Sequence, residues 1–264
     1  MLGVFEKSKG KPPMDLNLPS VPRPEAIRTR ADIAQFFLKM RKESDTTFYN
    51  FPNGNFMALS EEDEIPPQPR SIVVMDDIFC IFFGTLDNIT DVRQFYGLPK
   101  RSTEAMILHA AYKVLRDRSP YPPDQVLKQF QGKFAFMLFD AKYSVLFLAR
   151  DREGRVELHW GTASDGSLVC SDDQSIIIGV CGNIYTPFPP GCLFLGANLI
   201  SYDHPLHMVK ATEHKDDYGN TRALIFRVDL HTRFRTIPRT GSGDNWAAVS
   251  TTATLQAADN EKEK

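Results

Sequence analysis

The sequence predicts an α+β layered sandwich of antiparallel strands. Three observations lead there. Short segments rich in β-formers come in groups joined by tight turns, not in strict alternation with helices, which excludes a doubly wound parallel sheet. Helical patterns bunch together between residues 88 and 130. Runs such as Phe134-Ala135-Phe136-Met137-Leu138-Phe139 are apolar without alternation, which marks strands covered on both faces. At 264 residues, 42% of them hydrophobic, the chain can bury a core that needs neither metal nor disulfide.

The elements follow in order. After an apolar start (Leu2, Val4, Phe5), residues 7–24 are rich in Pro and Lys, and five prolines between 12 and 24 block regular pairing and leave a covering loop. Thr29 caps a helix whose Ile33, Phe36, Phe37 and Met40 recur at i, i+3, i+4 and i+7. The acidic, Pro-rich stretch 61–69 reads as a solvated connection. Strands at 72–75 and 78–83 turn at Asp76-Asp77. Asn88 caps a short helix running to Phe95. Ser102 or Thr103 opens a longer one, with Ile107, Ala110, Ala111 and Val114 on one face and His109 on another. A third helix carries Val126, Leu127 and Phe130 and stops at Gly132. Strands at 134–139, 145–149, 156–160, 167–170 and 224–228 complete the domain, with hairpin turns at Ala141-Lys142 and Asp165-Gly166. Residues 1–237 form this domain; 238–264, rich in Gly, Ser, Thr and charge, are expected to be a mobile tail onto which Trp246 can fold back.

Composition narrows the partners. Lys plus Arg number 31 against 33 Asp plus Glu, so a net charge of −2 gives no pull toward nucleic acid or an anionic membrane. No stretch is long and apolar enough to span a membrane, and Lys7, Lys9 and Lys11 run into Pro12-Pro13 and not into a leader's apolar core. Cys80, Cys170, Cys181 and Cys192 lack metal or redox spacing and read as reduced packing residues, which suits the cytoplasm or nucleus. His204 and His207 with His214 form the one metal-like cluster, but Pro205 and the missing acidic or thiol partner leave it without a complete ligand set, and no cofactor is expected.

Four segments carry a resemblance. Phe83-Gly84-Thr85-Leu86-Asp87-Asn88, the run from Gly132 to Asp140, Ala149-Arg150-Asp151-Arg152-Glu153-Gly154, and Phe188-Pro189-Pro190-Gly191 occur in this order. They resemble segments of the glutaminase domain of asparagine synthetase: Asn-Gly-Glu-Ile-Tyr-Asn, Gly-x-Phe-Ala-Phe-x-Leu-Tyr-Asp, Gly-Arg-Asp-x-x-Gly and Phe-Pro-x-Gly. The start Met-Leu-Gly-Val-Phe is similar to that domain's Met-Cys-Gly-Ile-Phe. A narrower match covers nearly the whole chain. Tyr96-Gly97-Leu98 and Leu115-Arg116-Asp117-Arg118 resemble the paired YGL and LRDR motifs of the plant aluminium-induced, or stem-specific, protein family, and Gly241 to Trp246 extends that match. The resemblance implies a four-layer αββα sandwich of the Ntn-hydrolase, type 2 glutamine amidotransferase kind. It further implies a homodimer acting in stress, hormone or nutrient responses. The family's name records when its genes are expressed and does not imply that aluminium is bound.

Carried over residue by residue, the resemblance implies a vestigial cleft at Leu2, Phe83, Gly84, Asn88 and Ser102. The amidotransferase nucleophile is an N-terminal cysteine whose own amine is the base, and Leu2 stands in its place. The oxyanion loop keeps Gly84 but has Phe83 where an asparagine donor belongs. Ser102 replaces the aspartate that pairs the substrate's ammonium, and no equivalent of the carboxylate-binding arginine is found. No catalytic residue is therefore assigned. Ser8, the nearest residue that cleavage could unmask as a nucleophile, sits between two lysines in a solvated context. Arg150-Asp151-Arg152 and Arg116-Asp117-Arg118 suit either anion binding or internal pairing, and internal pairing is preferred. The leading expectation is a pseudoenzyme acting through self-association or partner binding. Its alternatives are an enzyme of altered chemistry in the same cleft, for which the sequence offers Asp87 without an obvious partner, and a metabolite sensor.

Overall fold

The computed structural model describes residues 1–10, 13, 16, 29–41, 46–60, 69–118, 121–182, 185–215 and 221–233. The expected tail at 238–264, Trp246, the acidic stretch 61–68, most of the Pro-rich stretch and the side chain of His214 lie outside these residues.

Two antiparallel sheets lie between two layers of helices. The six-stranded sheet runs in the order β10 (Tyr185–Pro187), β8 (His159–Thr162), β9 (Leu168–Ser171), β1 (Leu2–Phe5), β3 (Phe56–Ser60), β2 (Thr46–Asn50). The eight-stranded sheet runs β14 (Thr221–Arg233), β13 (His207–Lys215), β12 (Asn198–Ser201), β11 (Cys192–Leu195), β7 (Val145–Arg150), β6 (Gly132–Asp140), β5 (Ile78–Leu86), β4 (Arg70–Met75). One turn, α1 (Lys7–Gly10), follows β1; helices α2 (Arg30–Met40) and α6 (Gln174–Cys181) cover the six-stranded sheet. Helices α3 (Ile89–Phe95), α4 (Glu104–Asp117) and α5 (Pro123–Lys128) cover the eight-stranded one. This is the αββα layering that the resemblance implied.

Burial follows from the absence of alternation. Along β6 the side chains divide between two cores. Phe134, Phe136 and Leu138 pack under α3–α5, while Ala135, Met137 and Phe139 face the other sheet. Between the sheets the rings interlock: Phe5 and Phe51 lie 5.0 and 4.8 Å from Phe139, and Trp160 meets Phe188 at 4.8 Å and Phe194 at 5.5 Å. All four cysteines are buried free thiols, and burial pushes each of them up, Cys192 to about 12.

Several expectations are corrected. Thr29 does cap α2, in a capping box with Asp32. Asn88 precedes α3 but does not cap it; its amide donates to the Gln129 carbonyl (2.8 Å) and its oxygen accepts from the Gln131 N–H (3.1 Å). Thr103, not Ser102, caps α4. The buried face of α4 is turned from the expected one, to Ala105, Leu108, Tyr112 and Leu115 beside Ile107 and Ala111, with Ala110 and Val114 only half-buried. Gly132 opens β6, and α5 ends three residues earlier at Gln129. The strand expected at 156–160 begins at His159, because the Val156 N–H and carbonyl are engaged by Asp151 (3.3 Å) and Arg150 (2.6 Å). The Pro- and Lys-rich stretch begins with the helical turn α1, which holds Ser8 in an exposed position.

Candidate functional site

The N-terminus leads into a strand inside the six-stranded sheet, and several side chains converge on it. The Met1 α-amine pairs with Asp172 Oδ1 at 2.6 Å, and Arg70 reaches Asp172 Oδ2 at 3.2 Å. The Arg70 guanidinium lies 5.7 Å from the centre of the Phe83 ring. Ser171 Oγ donates to the Met1 carbonyl at 2.6 Å. The Met1 side chain enters the core between the sheets, and the Met137 side chain lies against Gly3.

Strand alternation then decides where Leu2 points. It turns to the opposite face, fully buried beneath α2 and α6 with Val4, Ile33 and Ile177. Phe83 belongs to the core between the sheets. The Gly84 N–H, the remaining oxyanion donor of the resemblance, donates to the Pro69 carbonyl at 2.8 Å. Asn88 and Ser102 lie in the other helix layer. The Ser102 carbonyl accepts from Arg93 Nε at 2.8 Å, and its buried hydroxyl has no partner among the described residues. The five residues thus fall in three layers and do not line one cleft.

The two short motifs turn out to be structural. Gly97 has φ +66 and ends α3: its N–H bonds the Gln94 carbonyl (3.1 Å) and the Leu98 N–H bonds that of Arg93 (2.8 Å), the two bonds of a Schellman cap. Tyr96 donates to Gln129 Oε1 at 3.0 Å, burial raising its phenol, and Leu98 packs on the core. In the second motif Leu115 is buried. Arg116 bonds Asp117 (2.8 Å) and the fully buried Asp140 (3.3 Å), which also accepts from Tyr112 at 3.1 Å; only Asp117 and Arg118 are exposed.

The Arg150-Asp151-Arg152 loop is pinned as well. Arg150 donates to the carbonyls of Val156 (2.6 Å), Gly154 (2.7 Å) and Phe188 (2.9 Å). Asp151, fully buried, accepts from the N–H groups of Phe134, Glu153, Arg155 and Val156. Asp151 therefore pairs with backbone, not with the neighbouring arginines. His204 and His207 stand 6.0 Å apart between ring centres, and His207 Nδ1 meets the Asp229 carbonyl at 3.0 Å. Among the described residues no group of three metal-ligating side chains converges.

Comparison with known proteins decides the affiliation. A profile of the aluminium-induced protein family matches residues 2–228. The chain belongs to that family. It is 60% identical over 152 residues to the stem-specific protein TSJT1 of Nicotiana tabacum, an alignment that covers 57% of this chain and all of the relative. Among solved structures it is similar to glutamine phosphoribosylpyrophosphate amidotransferase of B. subtilis, at 17% identity and TM-score 0.41, covering 56% of this chain and 35% of the other. It is also similar to a glutamine aminotransferase class-II domain protein of Silicibacter pomeroyi, at 12% identity and TM-score 0.38, covering 56% and 74%. The chain therefore spans about a third of the amidotransferase's length.

Two buried histidines of this family member are expected to make its stability fall in mild acid. His109 packs near Asp76, Lys113 and Arg116, and His159 near Glu157, Arg150, Asp172 and Asp173; burial, the largest cause, lowers both pKa values below the usual 6.5. The unfolded chain then binds protons first on acidification, so the stabilisation is complete above pH 6.5 and lost as pH falls below it. Asp76 and Asp117, lowered from 3.8 by Lys113 and Arg116, act only below that value. Thermal melts at pH 7.5 and 5 are expected to show a falling Tm, and His109→Gln with His159→Phe should flatten the dependence. An unchanged slope in that variant would assign the effect elsewhere.

Proposed function

We propose that this domain is a non-catalytic, glutaminase-like module that works through self-association or partner binding in a stress or hormone response, in the cytoplasm or nucleus. The observation that carries the reading is Leu2: an aliphatic side chain, fully buried beneath α2 and α6, at the position matched to the amidotransferase nucleophile. No thiol or hydroxyl is offered there, and the amine beside it is paired to Asp172. The engaged Gly84 N–H supports the same reading, since an oxyanion needs a donor that is free. The family's description as aluminium-induced supports a responsive role.

Self-association is supported by β4. It is an outermost strand of the eight-stranded sheet, and it ends in the exposed apolar pair Val74 and Met75. Among the described residues no helix is long and apolar enough to cross a membrane.

One preparation tests both halves. The purified chain, assayed with glutamine and run in sedimentation velocity, is expected to release no glutamate above a mock purification and to sediment at the mass of two copies. Glutamate release that follows the protein peak would defeat the non-catalytic reading. A concentration-independent monomer would defeat self-association and leave other partners.

A further inference from the structure

A depression of about 270 Å³ opens at the end of the eight-stranded sheet where β5 and β7 finish and β6 begins. Its floor is aromatic: Phe130, Phe134 and Tyr202 are all nearly fully buried. Charge of both signs stands around it. Asp87 comes from the loop after β5; Arg152 and Arg155 come from the loop after β7; and the start of β6 separates them.

Arg152 is held at its stem and free at its fork. Its Nε donates to both oxygens of Asp203, at 2.9 and 3.0 Å, and its guanidinium lies 5.8 Å from the centre of the Tyr202 ring. Neither terminal nitrogen has a hydrogen-bond partner among the described residues. A guanidinium oriented in this way presents two parallel N–H groups, the arrangement that matches a carboxylate. Arg155 reaches an acid, Glu153, only at 4.0 Å, and the Asp87 carboxylate meets no side chain among the described residues. The fold thus places four charged groups, Asp87, Arg152, Glu153 and Arg155, around an aromatic floor, with the Arg152 stem on Asp203 and Arg155 paired loosely to Glu153.

We propose that this depression binds a free zwitterion of amino-acid size. Its carboxylate lies on Arg152 and Arg155, its ammonium on Asp87, and its apolar part on Phe130, Phe134 and Tyr202. Charge and size select this class. Two arginines are balanced by Asp87 and Glu153, so a phosphate dianion meets two repelling carboxylates and a simple cation meets two guanidiniums. At roughly 30 Å³ per water the space equals ~9 waters, the scale of a small ligand. The inference goes beyond the proposed function and holds whether or not the domain has any catalytic activity.

The experiment is calorimetric titration and thermal shift on the full chain with each standard amino acid, and with acetate and methylammonium as separate halves. At least one amino acid is expected to bind saturably and raise Tm by about 3 °C or more, with neither half matching it. Asp87→Asn and Arg152→Lys, each checked to be folded by its own unliganded melt, should each weaken binding about tenfold. Absence of binding across the whole panel overturns the proposal. Binding that survives both substitutions overturns it too, since the ligand then sits elsewhere. Acetate binding as tightly as the amino acid, with Asp87→Asn silent, replaces the zwitterion site by a plain anion site.

Discussion

Asp151→Ala is expected to cost about 4 kcal/mol of folding stability, because one carboxylate satisfies four backbone donors. Two of these, the N–H groups of Phe134 and Val156, are buried, and those of Glu153 and Arg155 are partly so. A methyl group accepts nothing, and each buried donor left unpaired costs about 1–3 kcal/mol. The aspartate backbone adds to the constraint: its N–H donates to the Phe134 carbonyl (2.8 Å), and its carbonyl accepts from Gly191 (2.9 Å). The side chain thus joins the start of β6 to the loop after β7, and the residue's backbone carbonyl adds the approach to β11. For a domain whose total stability lies in the usual range of about 5–15 kcal/mol, such a loss is a large fraction. Urea unfolding of the variant should show the midpoint falling with m unchanged, and Asp151→Asn, which keeps one acceptor oxygen, should recover part of the loss. A loss under about 1 kcal/mol would mean that water reaches these donors and that the loop is not held as described.

The same contacts explain which parts of the protein were legible in its sequence. The four segments that resemble the asparagine synthetase domain touch one another. Gly84 pairs with Phe134, the Asp87 N–H meets the Gln131 carbonyl, Asp151 binds the Phe134 N–H, and Arg150 binds the Phe188 carbonyl. They constrain a backbone, so they are recognisable whatever stands at the N-terminus. Turn chemistry was also readable: Asp76 and Asp77 both take positive φ, as the hairpin between β4 and β5 requires.

What was not legible depended on tertiary geometry. Which face of β1 holds Leu2 follows from the pairing with β3 and β9, not from local pattern. The short strands β10–β12 and helix α6 carry little periodicity within three to eight residues and went unassigned. The role of Gly97 was within reach of the sequence, since a helix ending at Phe95 puts this glycine just past its end, where a left-handed residue closes a helix. The pairing of Arg116 with Asp140 spans 24 positions, and no local pattern announces it.

Gly84→Ala is expected to destabilise the domain by about 3 kcal/mol or more, and its comparison with Gly97→Ala separates two causes. Both glycines have positive φ, +95 and +66, where an L side chain costs roughly 1–2 kcal/mol. Around Gly97 there is open space, so its alanine variant should lose only that much and leave a weaker cap on α3. At Gly84 an added Cβ would be driven into the carbonyl oxygen of Lys133 on the neighbouring strand, and backbone inside a sheet cannot yield as a flexible side chain does. The strand pair must spread, with loss of the bond from Gly84 to Pro69 and of the register between β5 and β6. The difference between the two variants, read from urea midpoints on one preparation, should therefore exceed about 1 kcal/mol. Equal losses would mean that dihedral strain alone holds Gly84. A larger loss at Gly84 accounts for its presence without any oxyanion: two strands approach too closely there to admit any other residue.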